Sequence, residues 1–370
     1  MKKVLLVYTS AGAGHQKAAE ALYQYLKDNH SFFELKIIDL LDYTPASFRL
    51  LYSKGYIFLI SKLPWLWYLF YRMAFLCANN RIFACLDYLT ALPFVDLLER
   101  ERPDVVISTH FLTSSILTVF KKKNPAQEIK LVSIITDYNL HPLWLGEGVD
   151  LYIAACDFAR EELLKRNVPA DKIRVCGIPA KEKFYRQADR REIAQKLGVD
   201  PSAFTALVIT GAVGLGPIEE IVHALAGEVQ LLVVCGNNKN LYRRLTGLNL
   251  PRVKPFPLID YVDELMSVSD AVVTKAGGLT ITESLAKGLP MVFFSNIPGL
   301  ESANARVLSE NGCAFDSSGI AEIKQRVLSL KNNPALYQET VSRITRFRKS
   351  QTLTAIASEI KNLLTCCGEV

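Results

Sequence analysis

The hydrophobic positions of this chain follow a repeating figure. A short apolar run ends in a polar or glycine-bearing loop, and a stretch with apolar residues at three- and four-residue spacing follows. In the first half the runs are KVLLVY, ELKIID, DVVIST, KLVSIIT, DLYIAA and IRVCG; in the second they are TALVIT, VQLLVVCG, AVVT and MVFF. Helical spacing between them is clearest at Ile218–Leu225 and Thr280–Ala286. This alternation predicts an α/β chain of parallel sheets wound with helices, each half forming one Rossmann-type domain. The halves are joined by GIPAKEKFYRQADRREIAQKLGVDP, polar and bounded by Pro179 and Pro201, which reads as a linker plus one helix. The expected domains are therefore 1–180 and 205–345, with a linker and helix over 181–204 and a C-terminal helix over 346–370 that packs back on the first domain. At 370 residues the chain has room for two cores, since a domain takes roughly 100 to 200 residues. No short-period repeat or low-complexity tract interrupts the figure.

One segment breaks the rhythm. No acidic residue lies between Asp42 and Asp87, while Arg49, Lys54, Lys62, Arg72 and Arg81 punctuate a run containing FLISKLPWLWYLFYRMAFL. A spanning helix needs about 20 mostly apolar residues. Here the uncharged stretches are shorter and Pro64 stands in the middle. The pattern predicts a segment lying on a bilayer, with Trp65, Trp67 and Phe70 as the apolar insertion and the basic residues facing anionic lipids. A buried helical hairpin inside the first domain fits the same pattern, and the pattern alone leaves both open.

Composition narrows the field. The formal net charge of +6 is mild, and no arginine-rich tract or basic-aromatic module points to nucleic acid. The eight cysteines (Cys77, Cys85, Cys156, Cys176, Cys235, Cys313, Cys366, Cys367) show no CxxC or Cys/His metal spacing and read as reduced thiols of a cytosolic protein. The N-terminal apolar run is about five residues, shorter than the ~7 to 15 of a signal peptide's core. The expectation is a protein without signal peptide or transmembrane helix.

In doubly wound sheets ligands bind beyond the carboxyl ends of the strands. The loops to watch are TSAGAGH, STHF, TDYNLHPLW, TGAVGLG, CGNNKN and TKAGGLTITE. The first fails the dinucleotide spacing GxGxxG, because Lys17 stands where a third glycine would follow Gly12 and Gly14. It places His15 at the mouth of a helix instead. Gly211–Pro217 and Lys275–Ser284 each lead from a strand into a helix, an arrangement that presents bare amides to an anion. There Gly277 and Gly278 admit a diphosphate, Thr280 can cap or donate, and Glu283 can accept both hydroxyls of a ribose. Thr280 and Glu283 also fit a T-x-x-E capping box, so spacing leaves two readings.

The ordered blocks GAGHQKAAEAL, GIPAKEKF, GAVGLG, SVSDAVVTKAGGLTITESLAKGLPMV and IPGLESANARVL resemble the monogalactosyldiacylglycerol synthases and the bacterial diacylglycerol glucosyltransferases. More distantly they are similar to the N-acetylglucosaminyltransferase that forms lipid II. The resemblance covers roughly residues 3 to 345 and is most specific over 275–304. It implies a GT-B fold, two Rossmann-like domains facing across a cleft, with the lipid acceptor and membrane on the first domain and the UDP-sugar on the second. The activity implied is inverting transfer of galactose or glucose from UDP-galactose or UDP-glucose to the hydroxyl of 1,2-diacylglycerol, without metal or cofactor. The protein would sit peripherally on the cytoplasmic face of a membrane, helped by anionic lipids.

The resemblance also assigns residues. His15 becomes the general base, and Gly12 and Gly14 give the acceptor room. Gly277, Gly278 and Thr280 match the diphosphate cradle, Glu283 the ribose carboxylate, Tyr261 and Val262 the uracil-reading backbone, and Gly214 and Gly216 the loop over the phosphates. His141 and Trp144 match an acceptor-side loop. Outside the resemblance, Asp137 is a candidate to orient His15, with a plain loop carboxylate as the reading the sequence favours. Many relatives read PGQE where this chain has Pro298, Gly299, Leu300 and Glu301; the sugar-binding amide is replaced by leucine, leaving Glu301 and Asn304 for sugar hydroxyls. The competing enzyme reading is a UDP-N-acetylglucosamine 2-epimerase, which would not need the basic aromatic segment. A silent lipid or nucleotide sensor is disfavoured by having both His15 and Glu283.

Overall fold

The computed structural model describes residues 1–10, 12–55, 58–59, 62–77, 81–212, 214, 216–294 and 299–365. The chain divides into two units, Met1–Lys181 with Ile297–Leu300 and Gln351–Val370, and Glu182–Asn296 with Glu301–Ser350. Each contains a six-stranded parallel sheet.

In the first unit the strands are β1 (Lys2–Tyr8), β2 (Phe33–Asp39), β3 (Val105–Ser108), β4 (Lys130–Ile134), β5 (Leu151–Ala154) and β6 (Ile173–Val175), in the order β2-β1-β3-β4-β5-β6. Val4 to Val7 are all buried because β1 is covered on both faces, which is why it reads as an unbroken apolar run. At the edge, β2 is only intermittently buried. The C-terminal helix Thr352–Thr365 belongs to this unit. Leu353, Ile356, Ala357, Ile360 and Leu364, spaced three and four apart, join Val4, Leu6 and Leu22 in one core. An ion pair from Arg174 Nε to Glu359 Oε2, 3.1 Å, ties it to β6.

The second unit holds β7 (Thr205–Ile209), β8 (Gln230–Val234), β9 (Val253–Phe256), β10 (Ala271–Thr274), β11 (Met291–Phe293) and β12 (Ala314–Asp316), ordered β12-β11-β10-β7-β8-β9. Counted from β7 this is the 3-2-1-4-5-6 order of doubly wound nucleotide-binding sheets. Arg190, which opens the helix Arg190–Leu197, grips Asp270 with two bonds of 2.7 and 2.9 Å. The same carboxylate accepts the Thr205 N–H at 2.7 Å, fixing that helix to the starts of β7 and β10.

Two strands had no counterpart in the sequence pattern. Both β9 and β12 are edge strands of three or four residues, and β9 contains Pro255, tolerated where no second neighbour needs its missing N–H. In each unit strand order reverses beside the first strand, between β1 and β3 and between β7 and β10. The loops beyond these strand ends are where a doubly wound sheet leaves a crevice.

Candidate functional site

At the first reversal the helix Ala13–Asn29 begins with Gly12 as its cap, without a side-chain capping bond and without an acid in its first turn. Its opening amides are therefore uncapped by side chains. A Cβ on Gly12 would make only ordinary contact, 3.8 Å from His15 Cδ2. Gly14 lies within the first turn, and His15 is the third helical residue.

The His15 ring is tightly held. Its Nδ1 lies 2.8 Å from the carbonyl oxygen of Thr109 and 2.8 Å from Thr136 Oγ1. Thr109 returns a bond from its own hydroxyl to the His15 carbonyl, 2.9 Å, and its N–H donates to Val7, 3.1 Å. The ring meets His110 edge-on at 4.7 Å between centroids and Trp144 at 6.4 Å. Burial pushes His15 down to about 4, with the Thr109 carbonyl pulling weakly the other way. His110 is held well below its ordinary value, first by burial and then by the neighbouring His15. Its Nδ1 accepts the Leu112 N–H at 3.2 Å, so the neutral ring carries its proton on Nε2.

Trp144 belongs to this ring cluster, and His141 precedes it by three residues in the same loop. Trp144 is among the largest fully buried side chains and packs 6.1 Å from Phe111. His141 caps the short turn Pro142–Trp144 by accepting the Leu143 N–H, and it lies 4.5 Å from the Tyr71 ring. Burial, opposed by the Tyr71 carbonyl, sets it at about 4. Asp137 is buried in the same loop. Sequence reasoning named that loop and STHF as ligand-facing but not Thr109, His110 or Thr136; their only signal was their place just beyond β3 and β4.

At the second reversal, glycine replaces the ring cluster. Gly214 has φ +66, and a Cβ there would lie 2.0 Å from the Cys235 carbonyl oxygen, so no other residue fits. Asn237 N–H donates to Ala212 at 2.8 Å, and Asn238 Nδ2 to Gly214 at 3.2 Å, bracing the loop. Gly216 is also left-handed, against Phe294. Val213 and Leu215 of this loop, like Pro298, lie outside the described residues. Beyond β10, Gly277 caps the helix Gly278–Lys287 without a side-chain bond, and a Cβ on it would meet nothing within 4 Å. Thr280 is thus the third residue inside the helix, which removes the capping-box reading of Thr280 and Glu283. Glu283 is buried one turn farther on.

Asn304 is also buried, and its amide donates to the Ala276 carbonyl at 3.1 Å, so that side chain braces the glycine turn. Glu301 is half-buried in the first turn of the helix Leu300–Glu310. Tyr261 opens the helix Val262–Ser267, with the Lys196 ammonium 5.9 Å from its ring centre. Both it and Val262 are half-buried.

The basic aromatic segment forms the helices Pro64–Cys77 and Arg81–Thr90 of the first unit. Phe58, Trp65, Leu69, Met73, Phe83, Leu86 and Leu89 are exposed, Trp65 by 66%, so this segment is not a hairpin sealed in the core. Trp67 is half-buried. Two positions apart on a helix lie on opposite sides, which separates it from Trp65; the side chain of Phe70 lies outside the described residues. Among the described residues no helix is long and apolar enough to cross a membrane.

Residues 15–180 match the monogalactosyldiacylglycerol (MGDG) synthase family, and residues 213–353 match the glycosyltransferase family 28 C-terminal domain. The chain is 31% identical over 345 residues to the probable monogalactosyldiacylglycerol synthase 2 of Oryza sativa subsp. japonica, covering 88% of this chain and 73% of the relative. Against the probable monogalactosyldiacylglycerol synthase of Glycine max it is 31% identical and covers 88% of this chain, but spans only 64% of that protein's length. The processive diacylglycerol beta-glucosyltransferase of Bacillus licheniformis is 26% identical, over 97% of this chain and 94% of its own. Among solved structures, the S. aureus MnaA–UDP co-structure superposes with a TM-score of 0.66 at 14% identity, covering 99% and 97% of the two chains. That likeness bears on the fold alone, which is GT-B. By these similarities the chain belongs to the monogalactosyldiacylglycerol synthase family of glycosyltransferases.

Proposed function

We propose that this chain transfers a hexose, galactose or glucose, from its UDP derivative to the free hydroxyl of 1,2-diacylglycerol, inverting the anomeric carbon without a metal or cofactor. Relatives named as monogalactosyldiacylglycerol synthases and as processive diacylglycerol beta-glucosyltransferases support the acceptor and leave the two sugars open.

The observation that carries the reading is the contact of His15 Nδ1 with the Thr109 carbonyl oxygen. A carbonyl oxygen 2.8 Å from Nδ1 can only accept, so the neutral ring keeps its proton there and offers the Nε2 lone pair. As the glycerol oxygen attacks the sugar carbon, its proton passes to Nε2, and the bond to UDP breaks with its electron pair going to the diphosphate. General-base catalysis of this kind is worth roughly 10² to 10⁴. The leaving diphosphate needs stabilisation. The open helix start at Gly277–Gly278, with Thr280 in its first turn, would supply amides and dipole. Glu283 would take the ribose, Tyr261 and Val262 the uracil, Gly214 and Gly216 the phosphate loop, and Glu301 the sugar, with Asn304 positioning the Ala276 turn. Gly12 and Gly14 would leave space for the acceptor before His15, and His141 and Trp144 would form the wall behind it.

The exposed apolar side chains of this segment, Trp65 included, and the basic residues Arg49, Lys62 and Arg72 of the same stretch suit a peripheral seat on an anionic leaflet at the cytoplasmic face. The deciding experiment is product analysis after incubation with diacylglycerol in mixed micelles and a panel of UDP-sugars, with and without EDTA. A β-linked glycolipid from one donor, formed equally in EDTA, is expected. Epimerised nucleotide sugar with no lipid product would overturn the proposal.

A further inference from the structure

The His15 ring is held at Nδ1 by residues from two other strand ends. Two oxygens converge on Nδ1 at 2.8 Å, the Thr109 carbonyl and the Thr136 hydroxyl, the latter 121 residues away along the chain. We infer that Thr136 is a positioning residue which, with the Thr109 carbonyl, keeps the proton of neutral His15 on Nδ1 and so reserves the Nε2 lone pair for the acceptor hydroxyl. This rests on the reading of His15 as the base.

The geometry explains why both oxygens are needed. The Thr109 carbonyl fixes the tautomer, because it has no hydrogen to give. Thr109 also holds the His15 backbone through its hydroxyl, so ring and main chain are strapped by one buried residue. Thr136, buried just beyond β4, supplies a second acceptor from another strand end and restricts rotation of the ring. When Nε2 gains a proton, the Nδ1–H becomes more acidic and both bonds strengthen. Their contribution is therefore larger in the transition state than before it. Neutral oxygens do this without the buried charge that an aspartate would bring. The titratable group meeting the ring is His110, and the loop carrying Thr136 also bears the buried Asp137 and His141.

The test uses the full-length chain labelled with ¹⁵N, in wild-type, Thr136→Val and Thr136→Ser forms. In the wild type at neutral pH, histidine-ring NMR should show His15 protonated at Nδ1 and bare at Nε2. His110 should show the reverse, serving as an internal reference. Thr136→Val should lower kcat about three- to tenfold, leave KM for diacylglycerol and UDP affinity within about twofold, and move the acid limb of kcat to lower pH by up to about one unit. Thr136→Ser should restore all three. A wild-type His15 carrying its proton on Nε2 would overturn the inference, as would a Val variant equal to wild type. If the Val variant fails to fold, Thr136→Ala takes its place: a loss of kcat that Thr136→Ser does not share supports the hydroxyl's role, and turnover by Thr136→Ala equal to wild type, or an equal loss in Thr136→Ser, ends it. Full transfer by His15→Ala would instead sink the base reading while leaving the tautomer result standing.

Discussion

The two strand-order reversals share a topology and differ in what they display. Beyond β1 and β3 the chain builds a ring cluster, with His15, His110, Phe111 and Trp144 packed so that one imidazole is held by two threonines. Beyond β7 and β10 it removes side chains, using Gly211, Gly214, Gly216 and Gly277 to leave backbone and an open helix start. A doubly wound sheet fixes where a ligand lies but not what it is. The first arrangement suits taking a proton from a neutral hydroxyl; the second suits holding a diphosphate.

The sharpest way to break this contrast is His15→Ala. Transfer should fall by roughly 10² to 10⁴, about 3 to 5 kcal/mol in barrier, while UDP affinity stays near normal. Turnover assays with calorimetry on the same variant check both halves. Near-wild-type turnover would reduce the ring cluster to packing.

Acid should separate the regions next. His15 and His141 are each pushed down to about 4 and His110 well below its ordinary value, all by burial. The unfolded chain, with ordinary histidines near 6.5, binds more protons than the folded one below that pH. Stability contributed by these neutral rings is thus complete above about 6.5 and is lost progressively as pH falls toward 4. For His141 the loss reaches about 3 kcal/mol by linkage. Urea titrations between pH 7 and 4.5 should show the decline, and His141→Gln should flatten it. An unchanged slope in that variant would mean that His141 protonates without opposing the fold.

Glu283→Ala probes the second region. Losing a charge-assisted acceptor for the ribose diol should weaken UDP binding by about 1.5 to 3 kcal/mol, without affecting vesicle binding. Equal UDP affinity in calorimetry would leave Glu283 as a buried helix residue with no ligand.

The legibility of these regions in the sequence followed the range of the interactions involved. Strand β1 announced itself because Val4 to Val7 are buried on both faces, and Gly12 and His15 were visible because they follow it directly. The edge strands β9 and β12 carry too few buried residues to leave a pattern. Thr136 could not be singled out, since its partner is 121 residues distant and threonine after a strand is ordinary. At Thr280 the T-x-x-E spacing suggested a cap, but the helix starts two residues earlier, at Gly278, with Gly277 in extended conformation as its cap. The two tryptophans were grouped by composition, although helical geometry divides them.

That division supplies the smallest and most discriminating effect. Trp65 is 66% exposed, and Leu69 and Met73, four and eight residues along the same helix, are exposed in part, whereas Trp67 is half-buried. If the exposed face rests on lipid, Trp65→Ser removes apolar insertion worth about 1 to 2 kcal/mol, or roughly five- to thirtyfold in partitioning to vesicles. Folding and UDP binding should remain, because little of that side chain is packed against protein. Trp67→Ser should do the opposite, lowering thermal stability while changing vesicle binding less. On the same condition the basic residues would make the remaining attachment sensitive to salt and to anionic lipid, each contributing on the order of 1 kcal/mol near a charged leaflet. Sedimentation with phosphatidylglycerol-containing and neutral vesicles, at low and high salt, separates the apolar from the electrostatic part. Equal vesicle binding by wild type and Trp65→Ser would detach this face from the membrane, and the acceptor would then have to reach His15 by another surface.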